Sequence, residues 1–315
     1  MASTLVIYNP AAGRGRVLAH WPRVLQALQE SGLDFEVAAT QAPQDALVLA
    51  RNAPGRYAQL VCVGGDGTVH EVVNGLMQAS GEAETIPLAV LPLGSGDDFA
   101  KVIPPAAAVG FRSFDWRSAV DKIGRGQTHL FDVGRMSGTG LRPEWGPGPH
   151  YFMNALGVGF GAHALVNLAS IPYFLKGFSA YLASILTTLV KYPRLRITLK
   201  LDDQPAFEQS TVMTVISSGR CVGNGFWVCP QAQADDGFFD VAIGLDLNRV
   251  QILKLLPKII QGAHVNDPAV RMTLAHRIEI HSTVGLAVEV DGELPFLDCY
   301  HLIVEMLPSR LRIMV

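Results

Sequence analysis

Apolar strands and helical patterns alternate through the N-terminal part of the chain, and this alternation constrains the fold more than any other feature. Each predicted strand is a short apolar run that ends at turn residues. These strands lie at 4–8, 35–39, 59–63 and 88–91. Apolar residues at helical spacing occupy the intervals, near 17–28, 44–51 and 69–78. Such alternation is typical of a parallel sheet covered by helices, so we interpret residues 1–130 as an α/β domain.

The pattern changes after about residue 130, where apolar and polar residues often alternate with a period of two. The β-rich segments lie at 194–201, 211–217, 238–244, 277–281, 285–290 and 300–306. Two helical patterns interrupt them, near 171–191 and 246–262, and Asp246 is the expected N-cap of the second. We interpret residues 131–315 as a mainly β domain. Whether its last residues pack back on the first domain is left open.

Charge is scarce in this chain of 315 residues: 17% are charged and 49% are hydrophobic, against about 25% charged in a typical domain. The longest strongly apolar stretch without charge, 177–190, is shorter than the roughly 20 residues of a membrane-spanning helix. The N-terminus lacks the features of a signal peptide. A net charge of −3 without a basic stripe argues against nucleic-acid binding. Scattered cysteines, with Cys62 in an apolar run, favour a reduced, cytoplasmic compartment.

A glycine-rich loop, Gly64-Gly65-Asp66-Gly67-Thr68, lies between the strand at 59–63 and the next helix. Consecutive glycines let a backbone approach a ligand closely and direct N–H groups at it, which suits phosphate. The helix N-terminus beside the loop also favours an anion. Because Asp66 would repel phosphate, the loop implies Mg²⁺ or a water network around that carboxylate. The alternative is a tight glycine turn in which Asp66 caps the helix.

Two further loops repeat this arrangement after other strands. Segment 91–100 (LPLGSGDDFA) combines glycines, a hydroxyl and acids, and segment 9–16 (NPAAGRGR) follows the first strand. The carboxyl ends of parallel strands form one rim, where open α/β sheets bind ligands. We therefore expect the three loops to line one crevice. Arg14 and Arg16 are either phosphate ligands there or solvated side chains.

In this order, these blocks resemble the diacylglycerol kinase catalytic family, which includes bacterial diacylglycerol kinases and the sphingosine and ceramide kinases. The similar segments are 9–13, 64–75, 91–100, 235–241 (DDGFFDV) and 291–293 (DGE), so they span nearly the whole chain. The glycine loop alone is shared with NAD kinases and resembles phosphofructokinase motifs. The resemblance implies an α/β domain of the phosphofructokinase and NAD kinase type, a C-terminal β-sandwich, and a nucleotide in the cleft between them.

The same resemblance implies an ATP site and two kinds of Mg²⁺ contact. The implied ATP-binding residues are Asn9, Thr40, Gly64, Gly65, Asp66, Gly67, Thr68, Glu71, Gly94 and Ser95. Asp66, Asp98 and Asp132 match acids that organise Mg²⁺ and water near the phosphates. A structural Mg²⁺ site is implied at Asp236, with backbone carbonyls of Gln233 and Phe238 as further ligands.

Asp291-Gly292-Glu293 follows a period-two strand and is expected on a hairpin turn. By resemblance Glu293 is the proton acceptor, with Asp291 as its neighbour or rival, and Asp66 completes the catalytic set. A carboxylate within hydrogen-bond reach can take the proton of a lipid hydroxyl. The alternative is an ordinary Asp-Gly turn. Asp97 stands where the family usually has asparagine; it weakens ATP binding, demands more Mg²⁺, or accepts a hydrogen bond from a backbone N–H.

The resemblance implies an ATP- and Mg²⁺-dependent kinase acting on a diacylglycerol-like or sphingoid lipid. The alternatives are an NAD kinase-like enzyme and a non-catalytic nucleotide- or lipid-binding protein. The expected partners are the lipid and, transiently, a membrane surface, with no nucleic acid; a homodimer is left open. The expected location is the cytoplasm, either free or peripheral at the inner membrane face. The uncharged helix at 178–190, bracketed by Lys176 and Lys191, is a core helix, an acyl-chain channel or a membrane-contact patch.

Overall fold

A computed structural model describes residues 3–103, 116–172, 174–175, 178–190, 192, 194–223 and 225–315. Lys176 and Lys191, which bracket the uncharged helix in the sequence, lie outside these residues. The described residues divide into two compact units. The first comprises the residues up to 133 together with 308–315, and the second comprises 134–307.

Strand and helix alternate in the first unit, as the sequence predicts. Its elements are β1 (Thr4–Tyr8), α1 (Arg16–Glu30), β2 (Phe35–Ala39), α2 (Asp45–Arg51), β3 (Gln59–Gly64), α3 (Asp66–Ser80), β4 (Leu88–Pro92), α4 (Trp116–Arg125) and the start of β5 (Thr128–Gly138). The strands pair in the order β4-β3-β1-β2, all parallel. Because β3 and β4 are covered on both faces, both are buried almost throughout and carry apolar residues without alternation.

The second unit is rich in antiparallel strands. After the end of β5 its elements are β6 (His150–Phe152), β7 (Ala155–Gly159), α5 (Phe160–Leu168), α6 (Phe178–Leu189), β8 (Leu195–Leu201), β9 (Phe207–Thr211), β10 (Met213–Ser217), β11 (Phe239–Gly244), α7 (Arg249–Ile260), β12 (Val270–Ala275), β13 (Arg277–Val290) and β14 (Glu293–Met314). The last residues of β14, from Pro308, belong to the first unit.

The strand β13 pairs with β14 along much of its length and also pairs with two further strands of the second unit. Its first part pairs with β8, and its last residues pair with β7, which continues through β10 and β11 to β12. Alternate residues of these strands, such as Val158, Val241, Ile280 and Val288, form one core between the sheets. The opposite face of β7, β10 and β11 packs against α5, α6 and α7.

The structure differs from the sequence prediction at two helices of this unit, α7 and α5. Asp246 is not the N-cap of α7: that helix begins at Arg249, and the side chain of Asn248 accepts a hydrogen bond from the Gln251 N–H at 3.0 Å. Asp246 lies too far from the first turn to reach it and instead forms an ion pair with Arg194 at 2.8 Å. The helix α5 is absent from the prediction because its short length and lack of charge hide its helical spacing.

The burial of α6 does not follow a single apolar face. Its small, polar side is buried, at Ser184 and Thr188, whereas Leu186 and Val190 are 44% and 61% exposed. The apolar residues of this segment therefore have two environments. Ile185 and Leu189 pack in the core, whereas Leu186 and Val190 face outward. Within the described residues, no helix is both long and apolar enough to cross a membrane.

Candidate functional site

The four loops that follow the parallel strands of the first unit are joined by backbone hydrogen bonds. The Thr40 N–H donates to the Tyr8 carbonyl at 3.0 Å, and the Asn9 N–H donates to the Val63 carbonyl at 3.0 Å. The Leu93 N–H donates to the Gly64 carbonyl at 2.8 Å. The loops predicted to line one rim therefore lie side by side at the carboxyl edge of the sheet.

Gly65 and Gly94 bring two of these loops into backbone contact. A Cβ on Gly65 would lie 2.9 Å from the Gly94 Cα, and one on Gly94 would lie 2.5 Å from the Gly65 Cα. Gly65 is the N-cap of α3, whose first residue is Asp66, three positions before the helix start near residue 69 expected from sequence. Asp66 is therefore not the cap of α3, but an acid in its first turn. Only glycine fits at either contact, and the start of α3 beside it is a helix N-terminus, which favours an anion.

The polar residues of the predicted ATP site hold the neighbouring loops together. The Asn9 side-chain amide donates to the Thr68 Oγ1 at 3.1 Å. The two carboxylate oxygens of Glu71 accept from the backbone N–H groups of Gln44 and Ala46 at 3.0 and 3.2 Å, at the start of α2. Thr40 is buried beside them. The side chains of Asn9, Thr68 and Glu71 thus hold neighbouring loops in place. Sequence alone does not distinguish this role from direct binding of a ligand.

The Asp66 and Asp98 carboxylates converge on Gly96. A Cβ on Gly96 would lie 2.8 Å from an Asp66 oxygen and 3.8 Å from an Asp98 oxygen. Burial, and then the charges of Asp98 and Asp97, raise the pKa of Asp66 to about 7. A cation would relieve this repulsion, and carboxylate oxygens are the ligands that Mg²⁺ prefers. The donor set therefore fits the Mg²⁺ implied by the sequence.

Lys101 is a member of this cluster that sequence reasoning missed. Its Nζ lies 2.5 Å from the Asp98 Oδ1 and donates to the Gly96 carbonyl at 3.1 Å. The residue lies three positions after Asp98, on the short 3₁₀ turn Phe99–Lys101, so both groups face the same side. The only sequence signal was a lysine after the block 91–100.

Asp97 accepts a hydrogen bond from a backbone N–H, which is one of the three roles expected from the sequence. Its Oδ1 accepts a hydrogen bond from the Gly94 N–H at 2.8 Å, and the Arg16 Nη1 donates to the Gly94 carbonyl at 2.7 Å. Burial raises the pKa of Asp97 to about 6, although the Gly94 N–H and the Arg16 charge oppose that shift. Arg16 and Asp97 therefore hold the loop at Gly94 from both sides. Asp132 is buried on β5, where its Oδ1 accepts a hydrogen bond from the Ser309 N–H at 2.7 Å.

Asp291 and Glu293 lie on the hairpin turn between β13 and β14, where Val290 pairs with Glu293. The Asp291 carboxylate accepts hydrogen bonds from the backbone N–H groups of Met153, Asn154 and Ala155 at 3.2, 3.0 and 3.1 Å. These bonds fix the segment between β6 and β7. Glu293 is exposed at the start of β14. The two acids thus have different surroundings, which the sequence could not separate.

The Asp236 loop precedes β11. The Asp236 Oδ1 accepts from the Phe238 N–H at 3.0 Å, and Gly237 between them has a φ of +81°. Gln233 and Asp236 are exposed. Burial, and then Asp236, raise the pKa of Asp240 to about 6. The carboxylate and carbonyl groups of this turn are the oxygen ligands that suit Mg²⁺.

An apolar cavity of about 90 Å³ lies in the second unit, between its sheet and helices α6 and α7. Ile185, Val215, Ala242 and Leu255 are among the residues that line it. Sequence periodicity predicted apolar faces for these elements, but not that a space remains between them.

Glu289 lies on the helix-covered face of β13, next to this cavity. A Cβ on either Gly157 or Gly161 would lie 2.6 Å from its Oε1, so both glycines make room for the carboxyl group. Gly161 also lines the cavity. Burial raises the pKa of Glu289 to about 7. Sequence reasoning missed this residue, although an acid at an inward position of a strand is a detectable signal.

Comparisons with known proteins agree with this arrangement. The family model of the diacylglycerol kinase catalytic domain matches residues 3–136, and that of the YegS C-terminal NAD kinase beta sandwich-like domain matches residues 156–315. A diacylglycerol kinase of Bacillus subtilis is 28% identical over 297 residues, which is 93% of this chain and 90% of that protein. A Pseudomonas aeruginosa protein named "Probable lipid kinase YegS-like" is 31% identical over 92% of this chain and 86% of its own.

Solved structures share the fold. A crystal structure of a diacylglycerol kinase from Bacillus anthracis superimposes with a TM-score of 0.69 at 19% identity, covering 99% of this chain and 96% of that one. The fold is thus a parallel α/β domain with a β-sandwich-like C-terminal domain, as the sequence predicts. The chain belongs to the diacylglycerol kinase and YegS-like lipid kinase family.

Proposed function

We propose that this protein is an ATP- and Mg²⁺-dependent lipid kinase that phosphorylates a hydroxyl of a diacylglycerol-like lipid. The observation that carries the proposal is the contact of Gly65 with Gly94 beside the acids Asp66 and Asp98. Two glycine loops in backbone contact beside a helix N-terminus suit a chain of phosphates, and the acids suit the metal ion that accompanies them. The names of the bacterial relatives favour diacylglycerol over a sphingoid lipid.

The loops of the first unit bind and orient the nucleotide. Phosphoryl transfer depends on positioning and charge neutralisation, and little covalent help is needed. The N–H groups at the start of α3 hold the phosphates, and Arg16 keeps the Gly94 loop in place through its carbonyl. Asp66 and Asp98 would hold Mg²⁺, which when bound neutralises phosphate charge. Lys101 limits the repulsion between these acids and the phosphates.

Glu293 accepts the proton of the lipid hydroxyl. Asp291 is less suited to this role because its carboxylate is committed to three backbone N–H groups. Both of its oxygens already accept hydrogen bonds from the backbone, so they are not directed at a substrate hydroxyl. Asp291 therefore positions the turn that carries Glu293.

The apolar cavity of the second unit accommodates part of an acyl chain. Its wall is almost entirely hydrophobic, as Ile185, Val215 and Leu255 illustrate, and a volume of about 90 Å³ holds several methylene groups. An apolar pocket of this kind stays dry and binds apolar ligands. Glu289 at its edge offers a carboxyl group to a polar part of the lipid.

Contact with a membrane is part of the proposal, because the substrate resides in a bilayer. Val166, Phe174, Leu186 and Val190 are 43%, 69%, 44% and 61% exposed, and they lie on α5, between α5 and α6, on α6 and directly after α6. Exposed apolar side chains concentrated on two successive helices are typical of an interaction surface. We place the protein at the inner face of the membrane during turnover and in the cytoplasm otherwise.

A lipid panel with labelled ATP tests the proposal. Purified protein is incubated with mixed micelles of diacylglycerol, sphingosine or ceramide, and with NAD as the acceptor expected of an NAD kinase. We expect Mg²⁺-dependent label in phosphatidic acid, which is lost in Glu293→Gln. Label in NAD would support the NAD kinase alternative, and ATP binding without any phosphorylated product would support a non-catalytic protein.

A further inference from the structure

Two histidines face each other across strands β13 and β14 of the second unit. His281 pairs with His301 in the strand register, and their rings are stacked with centroids 4.1 Å apart and an interplanar angle of 12°. Glu279 lies two residues before His281 and therefore on the same face of β13. Ile278 and Ile280 are fully buried, so this face points away from the core. One ligand atom of each of the three residues lies within 4.8 Å of the others.

We propose that Glu279, His281 and His301 form a binding site for a single transition-metal cation, with Zn²⁺ as the best fit. Two imidazoles and a carboxylate are an established donor set for zinc. Imidazole nitrogen is a poor ligand for Mg²⁺, which prefers oxygen. The site therefore differs in chemistry from the acidic cluster at Asp66, and it does not depend on the proposed kinase activity.

An unsatisfied polar atom supports this assignment. The Nε2 of His301 is buried and finds no hydrogen-bond partner among the described residues. Such an atom lowers stability, since most buried polar atoms are paired. A metal bond is one way to satisfy a ring nitrogen, and a second imidazole beside it, His281, supplies another ligand at the same place.

Neighbouring charges orient the carboxylate. The Glu279 Oε1 accepts hydrogen bonds from the Arg277 Nε and Nη2 at 3.2 and 3.0 Å, and Arg277 also pairs with Glu305. Partners of this kind commonly fix the ligands of metal sites. They leave the second carboxylate oxygen for the cation.

The site closes by a small movement. In a tetrahedral zinc site with bonds of about 2.0 Å, ligand atoms lie roughly 3.3 Å apart, which is shorter than the 4.8 Å limit observed here. His281 is exposed, so its ring turns without disturbing the core. The three protein ligands leave one position for water. All four cysteines, which would compete for the same metals, are buried.

Calorimetric titration of the full chain with Zn²⁺, in excess Mg²⁺ to occupy oxygen sites, tests the proposal. We expect one Zn²⁺ per chain, with affinity reduced more than tenfold in His281→Ala and in His301→Ala. His20→Ala removes an imidazole from α1 and is the matched control, which should bind as the wild type does. Co²⁺ should give the visible absorption of a tetrahedral site in the wild type and in His20→Ala only.

The outcomes are distinct. Loss of binding in both histidine variants, with retention in His20→Ala, supports the site. Wild-type affinity in His281→Ala, or no Zn²⁺ binding by the wild type, overturns it. Because the His281 side chain is exposed, its removal leaves the fold intact. The Zn²⁺ affinity of His281→Ala therefore tests the site even where His301→Ala fails to fold. Zn²⁺ should also raise the Tm of the wild type and not that of His281→Ala.

Discussion

The Asp97 carboxylate accepts a hydrogen bond from the Gly94 N–H at 2.8 Å, with Asp97 in the left-handed region at a φ of +51°. Asparagine adopts this conformation readily and also carries an acceptor oxygen. The residue that departs from the family pattern thus keeps the loop geometry. It adds a negative charge, which together with Asp98 raises the pKa of Asp66.

Asp97→Asn should therefore move the acidic limb of the pH profile of kcat/KM to lower pH. Removing the charge lowers the pKa of Asp66, so the ionised form persists at lower pH. We expect a shift of up to about one pH unit, the usual spread of carboxyl pKa values in proteins. Asp97→Ala is the comparison: it loses the hydrogen bond, which should lower the free energy of unfolding by about 1 kcal/mol. An unshifted profile in Asp97→Asn would contradict the charge coupling.

Gly65→Ala should disrupt the nucleotide site. The new Cβ would meet the Gly94 Cα at 2.9 Å, and backbone atoms cannot turn away as a flexible side chain can. We expect a loss of about 1–3 kcal/mol in stability and more than a tenfold loss in kcat/KM. Gly124→Ala on α4 is the control, because its Cβ meets nothing within 4 Å and alanine favours a helix. Equal activity in the two variants would show that the glycine contact is not needed.

Substitution of Asp291 should mainly lower stability, whereas substitution of Glu293 should mainly abolish turnover. Asp291→Ala removes the acceptor of three backbone N–H groups, and we expect the free energy of unfolding to fall by about 2–3 kcal/mol. Glu293→Gln should leave the Tm unchanged and abolish lipid phosphorylation. Urea denaturation and a turnover assay on both variants test this division. Turnover near wild type in Glu293→Gln, with turnover lost in an Asp291→Ala variant that remains folded, would reverse the two assignments.

Much of this arrangement could be predicted from local pattern. Strands β1 to β4 are apolar runs that end at turn residues, and the glycines that follow them mark the rim at which their loops meet. The helix α5 could not be predicted, because its stability comes from packing of residues such as Phe160 and Ala164 against distant strands.

The electrostatic part of the site was harder to predict. The identities of Asp66 and Asp98 were readable, but the pKa of Asp66 depends on burial and on distances that only the fold sets. Glu289 was missed for the same reason, since the two glycines that make room for it belong to β7 and α5, far away in sequence. Asp291 and Glu293 were indistinguishable until the backbone partners of Asp291 were known.

Glu289 should make stability depend on pH. Its pKa is about 7 in the folded protein, above the usual 4.5. Between pH 4.5 and pH 7, the folded state therefore binds more protons than the unfolded state does. Stability from this group is therefore greatest at low pH and is lost as the pH rises through 7. Glu289→Gln should remove this slope and raise the free energy of unfolding at pH 8 by about 3 kcal/mol. Parallel urea titrations at pH 5 and pH 8 test this; equal gains at the two pH values would contradict it.

Leu186→Glu should weaken vesicle binding if α6 contacts the membrane. The side chain is 44% exposed, so the charge is tolerated in solution but must leave water at a bilayer surface. We expect at least a tenfold loss of partitioning onto diacylglycerol-containing vesicles in a sedimentation assay. Leu274→Glu on β12 is the matched control, because Leu274 is 52% exposed and receives the same substitution away from α6. Equal partitioning of both variants and the wild type would exclude this face of α6, since both substitutions carry the same charge and differ only in position.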